Sequence, residues 1–327
     1  MDERMERKRL CKQFSSIGWA LFVYLMIMNI CVLLFSLWDM ILIVASQGNG
    51  VVYTEEQIES ILTNNGWGYM ITILVGMVAL RLWQGKQFVR ETMWNRGRPM
   101  AVGDFFCLLA LALAPQMAFS LIAGVLESIF NLFGLTLLDS LEAATMSADS
   151  FSMFLYMGVG APIAEELLFR GLVLRKLEPY GKRFAIVLSA FAFAVFHGNL
   201  VQIPYAFMVG LVLGYVALEY NILWAMVLHM INNLVLADML TRLTSFLPDI
   251  VGYLILSGVI SISAVAALVI LIVRRREVGE YRKANPIAGT CTTAFFTAPG
   301  IIALLVFVLI SVTAPIVAQI MEKLSLV

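Results

Sequence analysis

The chain has 327 residues, 61% of them hydrophobic and only 13% charged, with a formal net charge of zero. Together with a mean hydropathy of +0.90, this composition excludes a soluble globule and describes an all-α, polytopic membrane protein. The lipid bilayer is therefore the first expected partner, and no nucleic-acid partner is expected.

The zero net charge hides an asymmetry. Basic residues cluster at Arg4–Lys12, Arg81–Arg98, Arg170–Arg183 and Arg274–Lys283, leaving only Arg242 and Lys323 elsewhere. Such clusters mark cytoplasmic ends, so the N-terminus is expected in the cytoplasm. The first apolar run, Ile17–Ser46, exceeds the ~20 residues that a span needs, so it is tilted or extends past the bilayer. It is also too long for a removable signal peptide and lacks a small-residue cleavage site. Asn29 and Asp39 interrupt it. In the polar loop Gln47–Gly66, Thr54 and Gln57 have the spacing of a capping box and open a short helix. A second helix, Trp67–Trp83, ends in the basic segment Lys86–Arg98. A third runs from Val102 to about Leu126, with a kink expected at Pro115. An acidic outer segment follows, with Glu127, Asp139, Glu142 and Asp149.

The fourth helix, Phe151–Lys176, returns the chain to the basic turn Arg175–Arg183. Four more apolar runs, Phe184–His197, Ile203–Leu218, Ile222–Met239 and Ile250–Val273, lead to Arg274–Arg276. A ninth helix covers about Thr293–Gln319. About nine transmembrane helices put every basic cluster on one face, with eight as the alternative count. Cys11, Cys31, Cys107 and Cys291 show no paired spacing, which suggests neither a disulfide framework nor a cysteine metal site.

The fourth helix holds the chemistry. Glu165, Glu166 and Arg170 interrupt its apolar run, and an ionisable group there costs roughly 2.5–3.5 kcal/mol on insertion scales. Glu166 and Arg170 are four apart with the acid first, the favourable order for a pair along one helix face. Glu165 sits about 100° round the helix and is left free to act. Pro162, one turn earlier, is expected to bend the helix so that Glu165 faces a wet cavity. The chain's two histidines, His197 and His229, both fall in expected membrane helices. Phe193 shares a face with His197, and Asn233 shares one with His229. At ~1.5 Å per residue, Glu165, His197 and His229 lie roughly 16, 20 and 12 Å from the basic end. One shared site is therefore geometrically open to them.

Two chemistries would use such a set, and both are amide hydrolysis. In one, Glu165, His197 and His229 bind a divalent metal such as zinc, which acidifies a bound water and polarises a carbonyl. In the other, no metal is needed. Glu165 with His197 activates water as general base, while His229 and Asn233 donate to the oxyanion. No Ser or Cys stands in a nucleophile motif, and the soluble zinc-protease HExxH pattern is absent.

These residues also resemble a known family. Glu165-Glu166-x-x-x-Arg170, then Phe193-x-x-x-His197, then His229-x-x-x-Asn233 is similar to the signature of the CPBP family. That family comprises CAAX-type prenyl endopeptidases and bacteriocin-processing or Abi-type intramembrane proteases. The resemblance covers about Phe151–Leu240. It implies an α-helical intramembrane endopeptidase in which Glu165 and His197 activate water and His229 and Asn233 complete the site. Glu166, Arg170 and Phe193 would support them, whether the mechanism is of the metalloprotease or the glutamate type.

On this basis residues 1–150 are expected to form the first three membrane helices, 151–240 the catalytic core and 241–327 the last two helices. A multi-pass protein of a bacterial cell membrane is expected, its site opening to the cytoplasm, with a peptide or membrane-protein substrate. A non-catalytic immunity or scaffold protein is the alternative. A proton-coupled transporter is a further one, disfavoured by the lack of an inverted repeat.

Overall fold

In the computed structural model, residues 3–48, 50–91, 97–145, 150–234 and 244–325 are described. Among them there is no strand, as expected of a chain that must satisfy its backbone inside lipid. Helix α1, Glu3–Gly48, begins before the first apolar run. Its Leu10, Phe14, Ile17, Leu21 and Tyr24 are buried at a spacing that keeps them on one face. Further along, Leu33, Leu34, Leu37 and Trp38 are exposed, which suits contact with lipid. Thr54 and Gln57 form the expected capping box, with reciprocal bonds of 3.2 and 3.0 Å, at the start of α2, Glu55–Thr63.

Helix α3, Gly66–Glu91, outruns the expected second helix and is interrupted at Gly85, whose φ of 78° is outside the helical range. The expected kink in the third helix is present: α4, Val102–Leu113, and α5, Pro115–Leu132, meet at Ala114. The chain stays helical past Leu126 because Glu127 folds back onto the turn that follows. Its carboxylate accepts from Thr136 Oγ1 at 2.7 Å and from Leu137 N at 2.6 Å. A short α6, Leu138–Thr145, comes next. Asp149 lies outside the described residues.

Residues 151–177 form one rod, α7, in which α-turns alternate with two π-helical stretches, Tyr156–Gly160 and Leu167–Leu174. Helices α8, Lys182–Phe196, α9, Gln202–Glu219, and α10, Ile222–Leu234, complete the centre. The tail of the seventh expected run, Val235–Met239, lies outside the described residues. After α11, Asp249–Val273, the basic α12, Arg275–Ala284, precedes α13, Gly289–Phe296, and α14, Pro299–Ser325. A single ninth helix over Thr293–Gln319 is therefore not what forms. Pro299 has no N–H to continue a helix and disfavours the α conformation before it, so the chain breaks there and restarts.

Among the described residues six helices are long and apolar enough to cross a membrane: Arg4–Gly48, Gln57–Gly85, Val102–Leu132, Gln202–Glu219, Asp249–Val273 and Pro299–Ser325. The other three expected spans are helical too, but α8 is short, α7 is broken by its π-turns, and α10 is described only as far as Leu234. With α9, these form the inner wall of a helical membrane bundle. Only 6% of the most apolar window of α11 is buried, so that helix presents its side chains to lipid.

Close crossings use small residues, as membrane bundles do. A Cβ on Gly18 of α1 would stand 2.2 Å from the Gly300 carbonyl carbon of α14. On α9, a Cβ on Gly210 would stand 3.0 Å from the Ala190 Cα of α8. At the basic end of the bundle a polar layer closes the core. Lys182 and Tyr281 both bond to Glu219, at 2.9 and 3.1 Å, and Tyr220 donates to Asp104 at 3.0 Å. Glu219 thus belongs to this interfacial layer.

Candidate active site

The rod α7 positions the acidic pair. Pro162 cannot donate to the carbonyl of Gly158 one turn back, and this lost bond falls where the first π-stretch gives way to the α-turn Ala161–Glu166. Glu165 and Glu166 thus lie between two π-stretches and diverge. Glu166 and Arg170 have no exposed side-chain surface and pair at 3.1 Å, whereas Glu165 keeps 28% of its side chain exposed. The pairing read from the i,i+4 spacing is present.

A buried carboxylate beside a guanidinium fixes the state of its next neighbour. His229 Nδ1 lies 2.9 Å from Glu166 Oε1. A carboxylate can only accept, so Nδ1 carries the proton and donates. His229 Nε2 is left facing Glu165 Oε2 at 3.6 Å, too long for a direct hydrogen bond. Two acceptors facing each other at that distance repel, so the arrangement calls for a proton on Nε2 or a water donating between them. His197 is fixed by the same logic. Its Nδ1 is 2.8 Å from the Phe193 carbonyl, which can only accept, so Nε2 presents a lone pair.

Phe193 is the hub. Its ring meets His197 edge-on at 4.8 Å and His229 at 5.6 Å, while the Arg170 guanidinium stacks 4.4 Å over it. Arg170 also donates to the Gly210 carbonyl at 3.2 Å, so the Gly210–Ala190 approach brings an acceptor within its reach. His197 stands just past the end of α8. Gly198, with φ of 59°, turns the chain away there, as a residue after a helix end commonly does. Asn199 leads into α9, its side-chain oxygen accepting from Val201 N and Gln202 N at 3.0 and 3.3 Å.

Glu165, His197, His229 and Asn233 line one cavity of about 200 Å³. That is below the roughly 300–1,000 Å³ of a drug-sized pocket, enough for a water and a reacting peptide group. Sequence reasoning missed eight of its lining residues, three of them polar and on α9 or α10. Asn232 is only 1% exposed and donates to the Tyr205 hydroxyl at 2.7 Å, while its Oδ1 has no partner in this structure. Gln202 is the third. Asn232 had one signal, its place beside Asn233; Tyr205 and Gln202 had none. Asn233 itself spends one amide bond holding α7, donating to the Met157 carbonyl at 3.1 Å.

The cavity extends away from the basic end, toward Tyr156, Met157 and Asn233. On the other side of His229, Leu172, Val173, Leu213, Val216 and Ala225 are 0–2% exposed and close the floor. The lining residues come from the parts of α7, α9 and α10 remote from the basic turns.

A zinc site takes about three convergent protein ligands, and the expected set was Glu165, His197 and His229. Among the described residues no three His, Cys, Asp or Glu side chains converge so. Both histidines hold Nδ1 on a partner, Glu166 for His229 and a backbone carbonyl for His197, and keep Nε2 open, as metal-bound histidines also do.

Fold and site together define a polytopic helical membrane protein with a buried Glu–Arg–His cluster beside a water-sized cavity. Residues 147–235 match the family model described as type II CAAX prenyl endopeptidase Rce1-like. Over this part, about a quarter of the chain, the protein is similar to that family, in line with the resemblance carried by its three motifs. No curated protein and no solved structure gives a match.

Proposed function

We propose that the protein hydrolyses a peptide bond of a membrane-associated peptide or protein with water activated by Glu165 and His197, without a metal. The observation behind this reading is the division of labour in the acidic pair. Glu166 is spent on Arg170 and His229, while Glu165 lines the cavity with its Oε2 3.6 Å from His229 Nε2.

The step balances within these groups. A water in the cavity gives a proton to the Glu165 carboxylate while its oxygen attacks the carbonyl carbon of the substrate. His197, anchored through Nδ1, accepts from the same water through Nε2 and orients it. The negative charge that develops on the carbonyl oxygen meets His229, whose Nε2 donates when the ring is protonated. Glu166 then stabilises that imidazolium from the far side. The carbon–nitrogen bond breaks, and the protonated Glu165 returns its proton to the leaving amine. Asn233 holds the π-turn that places Glu165, and the Asn232–Tyr205 pair shapes the cavity wall beside the scissile bond.

The test is cleavage of a membrane-anchored peptide library by the protein in liposomes. Glu165→Gln is expected to lower the rate at least ~10²-fold, the usual worth of a general base, while insertion and folding are retained. Cleavage at the wild-type rate by Glu165→Gln would end the proposal.

A further inference from the structure

A second and larger cavity, about 710 Å³, lies on the other side of α9 from the site. Tyr205, Ala206 and Val209 face the small cavity, and Met208, Leu211 and Val212 face the large one. One helix therefore separates two chambers. The body of the large chamber is apolar, with Leu108 and Leu111 of α4 opposite Ile270 and Leu271 of α11. Leu271 lines it while 49% exposed, so the chamber opens sideways to the surroundings of α11, which are hydrocarbon.

One end is different. There the lining is Arg98, Asp104, Arg274, Glu277 and Arg282, with Tyr215, Tyr220 and Tyr281 among them. The two carboxylates account for one cation: Arg274 lies 3.5 Å from Asp104 and 3.9 Å from Glu277. Arg98 has no carboxylate partner. It is held by the hydroxyls of Tyr220 at 2.6 Å and Tyr215 at 3.2 Å, and it stacks over the Tyr220 ring. Arg282 is exposed. The mouth therefore has one cation more than its two anions, and among the described residues neither Arg98, which reaches Asp104 only through the Tyr220 hydroxyl, nor Arg282 is in a direct ion pair. It sits where the basic ends of α4, α9, α11 and α12 meet.

From this shape and charge we infer that the large chamber binds an anionic phospholipid from the leaflet at the basic end. Its acyl chain would lie between α4, α9 and α11, and its phosphate would sit between Arg98 and Arg282. A basic pocket between membrane helices at the interface suits such a headgroup, and Arg pairs well with phosphate through its fork of donors. A neutral lipid would fill the apolar part equally well but leave the two guanidiniums unanswered. The inference does not depend on the peptidase reading, because none of these residues belongs to the small cavity.

The test uses the full chain in nanodiscs of phosphatidylcholine alone or with phosphatidylglycerol, reading bound lipid by native mass spectrometry after release into detergent. The wild type is expected to retain phosphatidylglycerol about 25-fold more strongly than phosphatidylcholine, each of two basic side chains contributing a factor of about five. Arg282→Gln, at an exposed position, should cut that preference about fivefold, and Arg98→Gln with Arg282→Gln should bring it near parity. Met208→Trp, filling the chamber, should reduce retention of both lipids. Equal retention in the wild type, or a preference unchanged by the double variant, overturns the inference. So does occupancy by a prenylated peptide that phosphatidylglycerol fails to displace.

Discussion

Replacing Arg170 with Met tests the central cluster most directly. Met matches the stem of Arg but leaves the Glu166 carboxylate, with no exposed surface, opposite an apolar group. Removing one partner of a buried ion pair costs about 3–5 kcal/mol, because the survivor keeps its desolvation penalty without its counter-ion. The stacked contact with Phe193 at 4.4 Å adds up to about 2 kcal/mol when desolvated. A proton taken up by Glu166 would relieve the bare charge but would also change what His229 Nδ1 bonds to. Arg170→Met should therefore lose stability and activity together, whereas Glu165→Gln should lose activity alone. The assay is reversible unfolding in mixed micelles beside peptide cleavage in liposomes. A fall of less than about 1 kcal/mol in Arg170→Met, the range of a surface pair, would refute the reasoning. An equal fall in Glu165→Gln would do so too.

Other outcomes follow from the same geometry. His197→Ala should slow cleavage roughly 10²–10⁴-fold with helix content unchanged by circular dichroism; a rate within a factor of a few would remove His197 from the mechanism. Cleavage should survive exhaustive chelation, and a loss of activity restored by added zinc would argue for the metal-dependent route. Gly18→Val should lower the folded yield sharply, since its Cβ would stand 2.2 Å from Gly300. Gly124→Ala, with nothing within 4 Å of the new Cβ, serves as the silent control, and equal yields would disprove that crossing. Tyr205→Phe removes the acceptor of Asn232 Nδ2 at 2.7 Å and should cost about 1–3 kcal/mol of stability. A melting curve identical to wild type would show that the pair is not structural.

What the sequence determined by itself was set by local chemistry. Apolar length and basic clustering specify membrane helices, because lipid leaves the backbone no other way to satisfy itself. Three local rules also predicted the capping box at Thr54, the break before Pro115 and the Glu166–Arg170 pair, because each involves residues within one turn. The tertiary structure alone decided what depends on which helices meet. No spacing shows that Phe193 stands between both histidines, that Glu166 reaches a histidine 63 positions away, or that Asn232 and Tyr205 share a cavity wall. The place of that cavity was equally hidden: positive charge marks an end of the bundle but not where packing leaves a gap. The break at Pro299 was readable in principle, from the proline itself. The chamber behind α9 was not, since it exists only where four helices fail to close over one another.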